Sequence, residues 1–260
     1  NVSTVLKNLG IPTTALGFTA GFTGEEIKRR VEEAGLDSDF IQLEAGYSRI
    51  NVKMKDFDGT EINGQGPDIS KEKLRQLLKK LDGLEKGDVL VLAGSIPKSL
   101  PDSIYSDILA RLAVVDATGE LLLKVLKYRP FLIKPNNHEL GEIFQVKLET
   151  REDVIPYAEK LREKGARNVL VSMAGQGAVL VDETGKVHML PAPEGKLINA
   201  VGAGDSMVAG FLAGWLTKQD YFYAFCMGIS AGSASAFSEN LAGKEEIEKV
   251  YRQISSLSGT

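Results

Sequence analysis

From Ser70 onward the chain alternates between amphipathic stretches and short, continuous apolar runs. A helical stretch at 71–81 precedes DVLVLAG (88–94), and a second at 102–112 precedes VVDATG (114–119). A further helix leads to FLIKPN (131–136), and two more lead to NVLVSMAG (168–175). Short, continuous apolar runs fit a parallel sheet covered on both faces, the hallmark of α/β folds. In such sheets ligands gather beyond the carboxyl ends of the strands. That rule singles out Gly94-Ser95, Asp116, Asn136, Ser172 and the turn at 202–205, all polar or glycine-rich.

The last of these sites lies in INAVGAGDSMVAGFLAGWL, from Ile198 to Leu216. Met207, Val208, Phe211, Leu212, Trp215 and Leu216 recur at the spacing of a buried helix, which starts at Gly202-Ala203-Gly204-Asp205. The first amides of a helix have no partners within it, and the helix dipole adds partial positive charge there. Such an end accepts phosphate readily, and small residues let the backbone approach it. Asp205 places a carboxylate inside the same turn, where a pure anion site has no use for one. An anion hole with a built-in base suits transfer of a phosphoryl group to a hydroxyl. A glycine-rich helix start that serves packing alone is the competing reading.

Hydrophobic content of 43%, charged content of 25% and a net charge of -4 are those of an ordinary globular chain, and 260 residues suffice for one large α/β domain or two smaller ones. With 31 basic and 35 acidic residues, no arginine-rich run and no long apolar stretch, we expect neither nucleic acid nor membrane as a partner. The single cysteine, Cys226, sits in an apolar helical context and has no partner for an internal disulfide. We expect it to pack in the core, and we place the protein in the reducing cytoplasm.

The chain opens as if inside a helix, NVSTVLKNLG, with Gly10 as its stop; a strand is expected at 13–18, a glycine-rich turn at 19–24 and an amphipathic helix as far as Ala34. We expect that an N-terminal strand is absent from this sequence. A loop is expected to be absent at 113–114 as well, where helix meets strand without turn residues. YSRINVKMK (47–55) changes the period to two, and with TEING beyond the turn DFDG it reads as a hairpin, a small sheet beside the main domain. Lys53 and Lys55 read as solvated, while Arg49 and Asn51 are candidates for an anionic substrate.

Asn136 and Glu139 share one face at a helix start. They fit either a cap or a site for hydrated Mg²⁺, which keeps its waters and takes few protein ligands. SMAGQG (Ser172, Met173, Ala174, Gly175, Gln176, Gly177) fits either a nucleotide-lining turn or a plain hairpin turn. No phosphate loop of the G-x-x-x-x-G-K-[ST] type occurs. With two histidines and no cysteine cluster a zinc site is not expected; His138 and His188 read as surface residues.

NAVGAGDSMVAGFLAG resembles the second signature of the ribokinase-like (PfkB) sugar kinases, KPNNHEL their N-x-x-E motif, and VSMAGQGAVLV their nucleotide loop. NVSTVLKNLG resembles the stretch just after their first signature, whose Gly-Gly-Lys-Gly portion is absent. TEINGQGP, LAGSIPKSLP and FLIKPNNHEL are most similar to the 1-phosphofructokinase and tagatose-6-phosphate kinase branch. The resemblance implies one kinase domain over 1–260: a Rossmann-like three-layer α/β/α fold with a mostly parallel central sheet, and a small β lid at about 46–64. It implies ATP-dependent phosphorylation of a sugar phosphate, with fructose 1-phosphate the leading acceptor and tagatose 6-phosphate the alternative. A non-catalytic sugar or nucleotide sensor is the reading from another class. Asp205 is then the general base, and the amides of Gly202, Ala203 and Gly204 form the hole for the phosphoryl group. Asn136 and Glu139 organise Mg²⁺ and phosphates, 172–177 lie along the ATP, and 232–236 border the adenine. Asn1, Arg49, Asn51 and Ser95 face the sugar phosphate, and a homodimer through the lid is expected. Ala200 departs from the threonine common among relatives, and Ala174-Gly175 inverts a common Gly-Ala order.

Overall fold

The computed structural model describes residues 1–53, 61–85, 87–94, 96–97, 99–101, 104, 108, 114–115 and 119–257. They fall into two compact units, one of residues Thr13–Asp88 and Ser95–Ile104, the other of Asn1–Pro12, Val89–Gly94 and Tyr105–Thr260.

In the first-named unit, β1 (Thr14–Ala15) pairs in parallel with β3 (Asp37–Ser38), and β2 (Phe18–Ala20) with β4 (Ile41–Leu43). The helix Gly21–Glu33 connects them. The expected strand at 13–18 is thus two short ones, and the glycine-rich 19–24 is no turn but a strand end running straight into a helix. Ser48 fixes it: its hydroxyl accepts from the Ala20 amide at 3.0 Å while its carbonyl accepts from Thr23 Oγ1 at 2.9 Å. Ala20, Leu43 and Ile69 form the unit's small core, with Phe18 and Leu100 packed against it. The helix Lys71–Leu81 stands where the sequence puts it; Ser70 caps it by accepting from the Lys73 amide at 3.2 Å. The hairpin is also present, β5 (Asn51–Lys53) antiparallel to β6 (Glu61–Asn63). Its turn, 54–60, lies outside the described residues. The alternation leaves an apolar side open: Ile50, Val52 and Ile62 are 61%, 47% and 60% exposed.

The other unit is built on a six-stranded sheet of β7 (Val91–Leu92), β8 (Val114–Val115), β9 (Leu132–Ile133), β10 (Asn168–Ser172), β11 (Ala178–Val181) and β12 (Val187–Leu190), paired in that order. β7 to β10 run parallel and the last two antiparallel. The strands are shorter than the apolar runs. At β9 the reason is Pro135, which has no N–H for the ladder; pairing resumes as a single parallel bridge between Asn136 and Ser172. Val169, Leu170, Val171 and every residue of β11 are fully buried, so both faces of the sheet are covered. The expected gap at 113–114 and the strand end at Asp116 fall outside the described residues or on backbone alone.

The helices Ala203–Lys218 and Tyr221–Ala236 carry most of the core, with Phe211, Leu212, Phe225 and Ile229 buried between them. Their backbones nearly touch: a side chain on Gly210 would stand 2.4 Å from the Met227 carbonyl oxygen. Cys226 packs in this core as expected, and burial pushes its thiol up to about 11. His188 does not lie on the surface. It is buried, with Nε2 2.8 Å from Asp182 Oδ2 and its ring against Phe222 and Phe225. A terminal strand here is half of a covered hairpin, which the strand's position in the sequence does not reveal. Among the described residues no helix is long and apolar enough to cross a membrane.

Candidate active site

The turn at 202–205 is held from three directions. Asn199 Oδ1 accepts from the Val201 amide at 3.1 Å and its Nδ2 donates to the Glu239 carbonyl at 3.0 Å, which anchors the approach. Gly202 is the N-cap at φ 84, a left-handed conformation that strains any residue with a Cβ. A side chain there would also strike Leu241 at 2.7 Å. Ser206, fully buried, donates from Oγ to the Gly202 carbonyl at 2.8 Å and accepts from Ser235 Oγ at 2.8 Å. Ser235 accepts in turn from the Ala242 amide at 3.1 Å. This buried serine pair bolts the helix start to the next helix, and nothing in the sequence pattern announces it.

Asp205 stands in the first turn, half-buried, where the helix dipole favours its charge. Its Oδ2 accepts from Asn1 Nδ2 at 2.7 Å, a contact between residues 204 apart in sequence. Asn1 therefore meets the carboxylate of the expected base. Of the expected phosphoryl hole, the Ala203 amide is engaged by the Ala200 carbonyl at 3.2 Å, a turn bond at the longer end of the normal range. Beside the hole lies a cation that the motifs do not single out. Lys134 is only 7% exposed, and its Nζ lies 3.2 Å from where a Cβ on Gly204 would stand. The signal was present: Lys134 is the one charged residue in the run FLIKPN at the end of β9.

Asn136 and Glu139 form a reciprocal capping box, Asn136 Oδ1 accepting from the Glu139 amide and Glu139 Oε2 from the Asn136 amide, each at 2.8 Å. The cap reading is what the structure displays, and the box leaves Glu139 Oε1 out of it. The bridge to Ser172 sets this helix start beside the loop 172–177. That loop is a tight hairpin connection with a 3₁₀ turn at Ala174–Gln176. Ala174 is left-handed at φ 47 and Gly177 at φ 96, where a side chain would collide with the Leu190 carbonyl at 2.1 Å. A cavity of about 730 Å³ opens between Met173, Ala174, Gly175 and Gln176 on one side and Asn137 and Glu142 on the other. Asp205 is not part of its wall.

Residues 232–236, the expected adenine border, are partly buried, with Ser233 and Ala236 half-exposed. Gly232, Ala234 and Ser235 are buried, and a Cβ on Gly232 would stand 3.1 Å from the Ala203 carbonyl oxygen, directly under the site. Arg49 and Asn51 lie exposed in the other unit. Ser95 lies outside the described residues. Among the described residues no three His, Cys, Asp or Glu side chains cluster as a metal site.

Residues 1–247 match the model of the pfkB family carbohydrate kinases. The chain is 47% identical over 261 residues to a 1-phosphofructokinase of Bacillus subtilis, covering 98% of this chain and 85% of that one. It is 34% identical to a D-tagatose-1-phosphate kinase of Bacillus licheniformis, over 98% of this chain and 85% of that one. Among solved structures it is similar to phosphofructokinase-2 from Escherichia coli in complex with fructose-6-phosphate, with a TM-score of 0.84, 26% identity, and 98% and 86% of the two chains covered. A carboxylate seated in a glycine-built helix start, a lysine beside it and a match across nearly the whole chain lead to one conclusion: this protein belongs to the pfkB family of carbohydrate kinases and is a sugar-phosphate kinase, a phosphotransferase.

Proposed function

We propose that this kinase transfers the terminal phosphoryl group of ATP to the free primary hydroxyl of fructose 1-phosphate, giving fructose 1,6-bisphosphate. The observation that carries the reading is Asp205, a carboxylate oriented by a neutral donor inside an anion-binding helix start. In this reading Asp205 takes the proton of the acceptor hydroxyl as that oxygen attacks the phosphoryl group. The helix-start amides, with Gly204 foremost, and the Lys134 ammonium meet the charge on the transferring group. Phosphoryl transfer gains mostly from such positioning and charge stabilisation. The loop 172–177 lines the ATP. The name of the Bacillus subtilis relative supports the choice of sugar.

Mg²⁺ fits the donor set beside the loop in one specific sense: a lone carboxylate with an oxygen outside the capping box suits an ion that keeps most of its waters. Glu139 and Asn136 would hold it, and bound there it would neutralise phosphate charge. We place the described strands and helices in a three-layer, ribokinase-like arrangement with a small β lid at about 46–64. The exposed Ile50, Val52 and Ile62 support a homodimer through that lid, in the cytoplasm. Arg49 and Asn51 are assigned to the acceptor's own phosphate. Arg49→Ala should then raise KM for fructose 1-phosphate more than it lowers kcat, because guanidinium grips phosphate through paired hydrogen bonds.

The test is an ATP-dependent assay of the full-length protein on fructose 1-phosphate, tagatose 6-phosphate, fructose 6-phosphate and ribose, side by side. Preference for fructose 1-phosphate supports the reading. Preference for tagatose 6-phosphate supports the second reading; the Bacillus licheniformis relative is named for a different isomer, tagatose 1-phosphate. ATP binding without turnover of any sugar marks a sensor.

A further inference from the structure

We infer that the unit built on the six-stranded sheet carries a second anion site, at the opposite end of its strands from the catalytic turn: a cavity that takes the phosphate group of a small molecule. The cavity, of about 420 Å³, is lined by Arg129, Arg162, Lys164 and Arg167. Arg129 precedes β9, and residues 164–167 form the turn before β10. Lys134, Asn136 and Ser172 lie at or past the other ends of those two strands.

Two helix ends make the cavity. The 3₁₀ turn Leu126–Tyr128 and the helix Arg151–Glu163 converge because residue 165 is glycine. It stands at φ 135, and a side chain there would strike the Leu126 carbonyl oxygen at 2.0 Å. Arg129 closes the 3₁₀ turn at φ 54 and ψ 55, a left-handed conformation that glycine adopts freely and arginine only under strain. Strain held at such a residue points toward function.

The cations of the lining are poorly matched by the protein itself. Arg162 donates from Nη1 to the Glu183 carbonyl at 2.8 Å, while its Nε is buried without a hydrogen-bond partner among the described residues. Buried donors ordinarily have one. The Glu183 carboxylate is taken by Arg167 Nε at 2.6 Å and by the Tyr221 hydroxyl. Among the described residues no carboxylate pairs with Arg129, Arg162 or Lys164. A helix C-terminus attracts cations on its own, which accounts for Lys164 after the helix Arg151–Glu163. Arg129 follows a single 3₁₀ turn and gains little that way.

With Lys127 the lining holds five cations, against the carboxylates of Glu163 and Glu183, on a chain whose net charge is -4. Guanidinium groups present paired N–H donors that match phosphate oxygens. One dianionic phosphate meets this surplus better than a monocarboxylate does. The cavity is of small-molecule size, and the chain's overall negative charge opposes a long polyanion.

The test is a ³¹P NMR titration of the full-length protein with inorganic phosphate and with glycerol 3-phosphate, at ionic strength held constant with chloride. Binding at this site should weaken about tenfold or more in Arg129→Gly and in Lys164→Ala, the loss of one charge-assisted hydrogen bond. It should survive in Lys134→Met, which removes the cation from the catalytic turn. Arg129→Gly should keep its kcat and its melting temperature in phosphate-free buffer, because glycine accepts the left-handed backbone. Tighter binding of the ester marks an organic phosphate as the occupant, and tighter binding of inorganic phosphate marks the free ion; either supports the site. Binding undiminished in both Arg129→Gly and Lys164→Ala would overturn it, as would binding abolished by Lys134→Met. Acetate binding as tightly as phosphate would also overturn it. The titration reads binding alone, so its outcome is independent of which sugar the kinase phosphorylates.

Discussion

At the scale of single residues, the site separates charge that reacts from charge that waits. Asp205→Asn keeps the shape and the Asn1 contact's neighbours but cannot accept a proton; we expect a folded protein with kcat at least ~10²-fold lower, checked by turnover and by an unchanged melt. Lys134→Met keeps a stem of similar length beside Gly204 without the ammonium. By analogy with the loss of one charge-stabilising donor, kcat should fall about 10²–10³-fold, and a variant with wild-type kcat would remove Lys134 from the site. The two residues also show how unevenly a sequence declares its chemistry. Asp205 sits in a short local pattern and can be read directly. Lys134 looks like any strand-end lysine until the fold brings β9 beside the helix start, and the contact of Asn1 with Asp205 joins residues 204 apart, which no local pattern announces.

At the scale of elements, legibility tracked periodicity and end signals. The helix Lys71–Leu81, the hairpin and the helix from Ala203 stand where apolar spacing and turn residues put them. Less legible were strand ends, because an apolar run continues past the point where proline or a tight turn breaks the ladder, as at Pro135 and at Met173–Gly177. Least legible were contacts made by glycines. Gly210 reads as a weak helix residue, yet it lets two backbones meet, with the Met227 carbonyl 2.4 Å from where a side chain would begin. Gly210→Ala gains intrinsic helix propensity of about 1 kcal/mol but overpacks the crossing, an effect worth about 1–3 kcal/mol. The net expectation is a lower melting temperature together with reduced kcat, since the same helix presents Asp205. A more stable protein would show that the crossing has slack.

For the whole molecule, stability depends on acid through carboxylates of the β11–β12 hairpin. Asp182 is buried, which alone would raise its pKa, but hydrogen bonds from Thr184, His188 and the amides of Thr184 and Lys186 outweigh burial and hold it below the usual carboxylate range. Glu183 is lowered chiefly by Arg167, whose Nε lies 2.6 Å away, with Tyr221 as a further donor. A carboxylate with a depressed folded pKa contributes stability that is complete above its unfolded value, near 4, and is lost as pH falls through the folded value. Denaturant midpoints should therefore be flat around neutrality and fall below about pH 4. In Asp182→Asn the midpoint at pH 7 should drop and the acid decline become shallower; an unchanged profile would remove Asp182 as a cause.

The contact between Asn1 and Asp205 has a consequence for synthesis. The partners are 204 residues apart in the chain. At about 5–20 residues per second the second emerges roughly 10–40 s after the first. During that interval the helix Val2–Asn8 lacks a large part of the core it joins, because Met207, Val208 and Phe211 come later still. On the proposed role of Asp205, the nascent chain cannot transfer phosphate during that wait, and its core closes only after the helix from Ala203 and the segments beyond it have left the ribosome.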